Sequence, residues 1–266
     1  MKMLPACIAA LFTLLLCIAP VKAADAPVEQ NIGVFGDSLG DGLWSGLYIV
    51  TKKHPEVKLF RRTKVGTGLT RGDFATWITE FSTQLDTDHP TVAVVMFGAN
   101  DQQSIRDENH KGFLFKSEGW KRTYTAHIAA MFAEFEKRKI PVIWVGLPIM
   151  RDATMNEGGR YLDDLFAEQA KLHNGTFVPL VDTFKGADGN FASHLPDATG
   201  KLHNVRADDG VHFTPYGYEL IGEKVYATIN AAKPAPVPAA ATDSPAPAAA
   251  APAEAPVAVA PPVDTH

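Results

Sequence analysis

The chain has 266 residues, of which 46% are hydrophobic and 21% are charged, and its formal net charge is −5. This composition is typical of a globular protein and excludes a disordered or fibrous chain. Nucleic acid and anionic membrane surfaces attract basic proteins, so the acidic balance argues against both as partners.

Both ends of the chain differ in composition from the middle. In residues 1–23, Lys2 precedes an apolar run and small residues lie near the end, which predicts a secretory signal peptide. Residues 24–30 form a short linker. Residues 232–266 are rich in alanine and proline and predict a disordered tail, because they lack large apolar side chains. The remaining segment, residues 31–231, is long enough to form one domain with a buried core.

The signal peptide implies export, and we expect the periplasm as the compartment. Both cysteines, Cys7 and Cys17, lie in the signal peptide, so the mature chain has no disulfide. Cys17 is an alternative lipoprotein site, but it follows Leu16, where that signal needs a small residue. Outside residues 3–19, no apolar run reaches the roughly 20 residues of a transmembrane helix. The tail is a candidate for contact with the cell envelope.

Between these ends, short apolar segments alternate with segments of helical periodicity. The predicted strands are residues 31–35, 57–60, 91–97, 140–147 and 177–181. The predicted helices cover residues 43–50, 74–85, 124–135, 162–172 and 215–229. This alternation predicts a three-layer α/β/α sandwich of the flavodoxin-like type, with about five parallel strands. In such folds ligands bind beyond the carboxyl ends of the strands, so the loops there should carry the functional residues.

Three of these loops carry side chains that suit nucleophilic catalysis. Ser38 follows the first strand in a glycine-rich turn, either as an exposed nucleophile at a helix N-terminus or as a plain N-cap. Asn100 follows the third strand, where its amide can donate to an oxyanion or stabilise a turn. His212 precedes the last helix, either as a proton acceptor or as a surface residue. Asp209, three residues earlier, is placed to orient it, with Asp208 as a rival.

The second loop is rich in glycine. Gly66 and Gly68 allow a backbone N–H to approach a reacting group closely. With Gly72 they are spaced one residue too far apart for a dinucleotide fingerprint, so no cofactor is predicted. The histidines of the last loop, His194 and His203 among them, fit no zinc-binding spacing, so no metal is predicted.

Serine, glycine, asparagine and histidine thus occupy loops one, two, three and five, and this order resembles the SGNH or GDSL-type hydrolase family. The matching blocks are Gly36-Asp37-Ser38-Leu39, Gly68, Gly98-Ala99-Asn100-Asp101 and Asp209-Gly210-Val211-His212. The second block is the least specific, and Gly66 remains an alternative to Gly68. Residues 36–40 also fit the nucleophile elbow of α/β-hydrolases, but in that fold several strands come before the serine.

The resemblance implies a serine esterase in which Ser38 attacks an acyl carbonyl, His212 transfers the proton and Asp209 orients His212. It also implies an oxyanion hole formed by the N–H groups of Ser38 and Gly68 and the side chain of Asn100. With export, it leads us to expect removal of O-acyl groups, acetyl foremost, from envelope carbohydrate or from a small ester. Three alternatives remain open: an O-acyltransferase that uses the same residues, a lipolytic esterase, and a glycan-binding module without turnover.

Overall fold

The structure is a computed structural model that describes residues 29–232. The predicted signal peptide, residues 24–28 of the linker and residues 233–266 of the tail lie outside the described residues, whereas Gln30 of the predicted linker belongs to the first strand. In chain order, the elements are β1 (Gln30–Gly36), α1 (Ser38–Thr51), β2 (Val57–Thr63), α2 (Phe74–Asp88), β3 (Val92–Met96), β4 (Ile105–Arg106), β5 (Gly112–Phe113), α3 (Glu118–Lys137), β6 (Val142–Val145), α4 (Ala153–Leu172), β7 (Thr176–Val178), α5 (Val181–Phe184), β8 (His194–Pro196), β9 (Leu202–Asn204) and α6 (Pro215–Ala231).

Five strands form one parallel sheet in the order β2-β1-β3-β6-β7. The central strand β3 is buried at all five of its positions, because helices cover both faces of the sheet. One helical layer contains α1 packed on α6, and the other contains α3 packed on α2 and α4. The predicted three-layer α/β/α fold is therefore confirmed. No helix within residues 29–232 is both long and apolar enough to cross a membrane.

The structure differs from the sequence prediction at the last strand and in the long loops. The fifth strand ends at Val178 rather than at residue 181, because the apolar run continues past the strand into the next helix, whose N-cap is Leu180. Val181 instead begins the short helix α5. The hairpins β4–β5 and β8–β9 were not predicted, since strands of two and three residues are too short to show an alternating pattern.

Helices α1 and α6 pack closely because glycines lie where they cross. A Cβ at Gly46 would lie 1.9 Å from the backbone oxygen of Tyr218, and a Cβ at Gly222 would lie 2.6 Å from the carbonyl carbon of Gly46. Only glycine permits such an approach of two backbones. This packing helps to bring Ser38, where α1 begins, towards the loop before Pro215, where α6 begins.

Candidate active site

Three side chains from opposite ends of the domain form one line of hydrogen bonds. Ser38 is the first residue of α1, and its hydroxyl oxygen lies 2.7 Å from His212 Nε2. On the other side of the ring, His212 Nδ1 lies 2.6 Å from Asp209 Oδ2. About a third of the His212 side chain (34%) is exposed, so a bulky molecule can approach this line from solvent.

Asp209 uses both of its carboxylate oxygens. Oδ1 accepts hydrogen bonds from the backbone N–H groups of Val211 and His212, at 2.8 and 2.9 Å, while Oδ2 faces the imidazole. Partial burial acts to raise the pKa of Asp209, but these three hydrogen bonds outweigh it and lower the pKa to about 2. The carboxylate is therefore ionised at neutral pH. The rival carboxylate of Asp208 is exposed and has no hydrogen-bond partner among residues 29–232.

A buried guanidinium holds the loop that carries the aspartate and the histidine. Arg206 is 1% exposed and donates to four backbone carbonyl oxygens at 2.6–3.2 Å, those of Ile149, Gly210, Val211 and His212. Burial lowers the pKa of Arg206 to about 10, which still leaves it charged at neutral pH. Sequence reasoning missed this residue, because a single arginine in a polar loop carries no signal of burial. Arg206 helps to position His212 because its hydrogen bonds hold the backbone of residues 210–212 in place.

The loops after β1, β2 and β3 bring together the groups expected to bind an oxyanion. Asn100 Nδ2 donates to the backbone oxygen of Thr67 at 2.8 Å, which places the amide against the second loop. A primary amide has two N–H groups, so this bond leaves one for a ligand. Ser38 stands at the first position of α1, where a backbone N–H has no acceptor within the helix.

The two candidate glycines of the second loop have different surroundings. Gly66 is exposed, has a φ of +72°, and has no atom within 4 Å of where a Cβ would lie. Gly68 is buried, and a Cβ there would lie 2.0 Å from Asp101 Oδ1. That carboxylate is held in place, since it accepts hydrogen bonds from the Thr70 N–H at 3.1 Å and the Tyr124 hydroxyl at 2.8 Å. Gly68 is therefore the glycine whose missing side chain lets the second loop pack against the third.

We predict that Gly68→Ala lowers the free energy of unfolding by about 2 kcal/mol, because the methyl group cannot fit against the fixed carboxylate of Asp101. Chemical denaturation of the purified variant measures this. Gly72→Ala is the matched control in the same loop, because a Cβ at Gly72 meets no atom within 4 Å and its φ is not positive. Equal stability of the two variants would contradict the packing argument.

Asp37 joins the first loop to the third and was also missed as a functional candidate. Its Oδ1 accepts from the Leu39 N–H at 2.8 Å, and its Oδ2 accepts from the N–H groups of Gly98 and Ala99, both at 3.1 Å. Burial, together with the charge of nearby Asp101, raises the pKa of Asp37 to about 7, although the hydrogen bonds from these N–H groups act to lower it. Asp37 and Asp101 could have been found from the sequence, because they lie inside the matched blocks, next to Ser38 and Asn100.

The remaining histidines of the last long loop make local contacts. His194 Nδ1 lies 3.0 Å from the hydroxyl of Ser193, and His203 Nε2 lies 2.9 Å from Asp197 Oδ2. Across the described residues, no group of three or more His, Asp or Glu side chains is arranged to hold a metal ion.

Comparison with known proteins places this geometry in a structural context. A protein-family profile described as "Protein of unknown function (DUF459)" matches residues 31–228. A search of curated proteins gave no match.

Solved structures resemble the fold. A GDSL-like lipase from Bacteroides thetaiotaomicron is 19% identical, with 77% of this chain and 90% of that chain covered and a TM-score of 0.52. An acetylxylan esterase from Geobacillus stearothermophilus, solved as a catalytic mutant, is 15% identical, with 76% and 94% covered and a TM-score of 0.54. The esterase EstA from Pseudoalteromonas sp. is 13% identical, with 76% and 98% covered and a TM-score of 0.50.

At these identities the structural likeness concerns the fold, and the profile match concerns the family. The profile covers almost the whole described domain, and the fold agrees with the order of the four sequence blocks. The chain therefore belongs to the DUF459 family, and its fold is that of the SGNH or GDSL-type hydrolases.

Proposed function

We propose that this protein is a serine esterase that removes O-acyl groups, acetyl foremost, from carbohydrate through an acyl-enzyme at Ser38. The observation that carries the proposal is the continuous line of hydrogen bonds from Asp209 through His212 to the Ser38 hydroxyl. A nucleophile, a base and a group that orients the base, each within hydrogen-bond distance of the next, are what acyl transfer by serine requires.

The proposed reaction has two steps. Ser38 Oγ attacks the acyl carbonyl while His212 Nε2 takes its proton, and the Asp209 carboxylate stabilises the resulting imidazolium. The oxyanion accepts hydrogen bonds from the Ser38 N–H, the free N–H of the Asn100 amide and the Gly68 N–H. His212 then protonates the leaving alcohol. In the second step a water molecule attacks the acyl-enzyme, with His212 as base, and releases the carboxylic acid.

Two observations support a carbohydrate ester as the substrate. The imidazole is partly exposed, which leaves access for a bulky alcohol. One structure with this fold is an acetylxylan esterase, a protein that acts on an acetylated polysaccharide. Because a signal peptide and a tail are predicted, we propose that the carbohydrate is an envelope glycan in the periplasm. An O-acyltransferase would use the same three side chains and would differ only in the acceptor of the acyl group.

We expect kcat/KM for p-nitrophenyl acetate to exceed that for the octanoate ester by at least about tenfold, a barrier difference of about 1.4 kcal/mol. A series of p-nitrophenyl esters from acetate to octanoate measures this preference, with acetylated xylo-oligosaccharide as a natural type of ester. A preference for octanoate would instead indicate a lipolytic enzyme. Transfer of acetyl to an added oligosaccharide, detected by mass spectrometry, would indicate a transferase.

A further inference from the structure

We propose that a cleft beside the oxyanion loop binds the sugar portion of a neutral acylated oligosaccharide. The inference rests on the proposed esterase function and names a subsite for the sugar chain that borders the loop of Gly68. The cleft has a volume of about 650 Å³ and lies between the start of α2, the β4–β5 hairpin and one face of α3. Small-molecule sites commonly measure about 300–1,000 Å³, so the cleft is large enough for sugar units.

One wall of the cleft is formed by the second loop, which also carries Gly68. Arg71 lines the cleft, and its Nη1 donates to the hydroxyl of Thr67 at 3.3 Å. The backbone oxygen of Thr67 in turn accepts the hydrogen bond from Asn100. On the other side of Gly68, the backbone oxygen of Leu69 lies 2.7 Å from Nδ1 of His127, which also lines the cleft. The cleft therefore borders the loop that carries Gly68, the proposed oxyanion donor.

Polar side chains around the cleft are available to a ligand. The guanidinium of Arg122 lies over the ring of Phe113, 5.7 Å from the ring centroid, and no carboxylate of residues 29–232 lies within ion-pair distance of it. Among the described residues, the guanidinium of Arg106 donates only to the backbone oxygen of His110. Within the part of the chain that the structure describes, the side chains of Glu108 and Asn109 make no hydrogen bond. Guanidinium, carboxylate and amide groups together offer both donors and acceptors.

The charge balance favours a neutral ligand over an anionic one. Three arginines line the cleft, and one of them, Arg71, is paired with Asp73 at 2.6 Å. The other two are balanced by the lining residues Asp107 and Glu108. A phosphate or a uronic acid would meet as many carboxylates as free guanidinium groups, so it would gain little net attraction. A polyhydroxyl compound, in contrast, uses donors and acceptors equally.

The rim and one wall of the cleft are shaped in advance. Asp107 Oδ1 accepts from the backbone N–H groups of Asn109 and Lys111, at 3.0 and 2.9 Å, and this closes the hairpin turn. His110 in that turn has a φ of 61°, a left-handed conformation that is uncommon outside glycine. At the wall, the rings of Phe74 and His127 stack in parallel at 3.6 Å. A preformed site loses less conformational entropy when it binds a ligand.

The test compares two substrates in the wild-type full chain and in three variants, Arg122→Ala, Arg106→Ala and Lys121→Ala. We expect Arg122→Ala to lower kcat/KM for acetylated xylotetraose, relative to that for p-nitrophenyl acetate, by about tenfold and mainly through KM, because a hydrogen bond to a charged group is lost. Lys121→Ala is the matched control. Lys121 is the neighbouring exposed cation of α3, it does not line the cleft, and its removal should leave the ratio unchanged.

Calorimetric titration with unacetylated xylotetraose tests the cleft without turnover, and we expect binding that Arg122→Ala weakens about tenfold. Substrate ratios and binding that stay unchanged in both Arg122→Ala and Arg106→Ala would overturn the inference. Tighter binding of the anionic tetragalacturonate than of xylotetraose would overturn the inference that the cleft prefers a neutral ligand. Esterase activity that does not depend on Ser38 would overturn the proposed function, whereas the calorimetric result would still decide whether the cleft binds sugar.

Discussion

Ser38→Ala is expected to abolish ester hydrolysis, with kcat reduced on the order of 10⁶-fold. The hydroxyl is the atom that would bond to the acyl carbon, and no other hydroxyl is hydrogen-bonded to His212 among the described residues. Because the substituted side chain is smaller and partly exposed, the fold should be retained. Hydrolysis of p-nitrophenyl acetate measures the loss, and labelling with a fluorophosphonate followed by peptide mass mapping identifies the modified residue.

Ser45→Ala is the matched control for this variant. Ser45 also lies on α1, but its hydroxyl donates to the backbone oxygen of Gly42 at 2.6 Å and is not hydrogen-bonded to His212. We expect Ser45→Ala to keep both hydrolysis and labelling. Hydrolysis or labelling that persists in Ser38→Ala would show that another nucleophile acts, and absence of both in the wild type would favour a binding protein.

Asp209→Asn is expected to lower kcat on the order of 10⁴-fold, with little effect on the fold. Asp209 Oδ1 accepts two backbone N–H bonds, so an asparagine would keep its oxygen there and turn its NH₂ group towards His212 Nδ1. That arrangement selects the tautomer with the proton on Nε2. The nitrogen that faces Ser38 could then no longer accept a proton from the hydroxyl.

Asp208→Asn is the control, because this substitution removes the same charge at an exposed neighbouring residue whose carboxylate does not bond to the His212 ring. Wild type, Asp209→Asn and Asp208→Asn are compared by kcat for p-nitrophenyl acetate between pH 5 and 9. The stability that the ionisation of Asp209 contributes to the fold is present above about pH 4 and is lost as the pH falls through 2, because the pKa of Asp209 is lowered to about 2. The carboxylate is thus ionised at every pH of the measured range. The loss in Asp209→Asn should therefore persist across the whole range, and a comparable loss in Asp208→Asn would contradict the geometry.

The sequence predicted the sheet, its helical layers and the loops that meet at one edge. Strand 91–97 was recognisable because both faces of β3 are buried, and helix α2 because its apolar residues recur at helical spacing. The predicted roles of Ser38, Asp209 and His212 remain a proposal, which the variants above test. The last strand was predicted too long, because the apolar run does not show where β7 ends and α5 begins.

By itself, the sequence determined the fold class and the order in which serine, glycine, asparagine and histidine appear, because periodicity and block order are local properties. Only the tertiary structure decided which groups hold the site together. Asp37 bonds to Gly98 across 61 positions, and Arg206 bonds to Ile149 across 57. It also showed that Gly68, unlike Gly66, packs against the carboxylate of Asp101. Contacts between residues far apart in the chain produce no recognisable spacing pattern in the sequence, since they arise only when the packed helices and strands bring separate loops to one edge of the sheet.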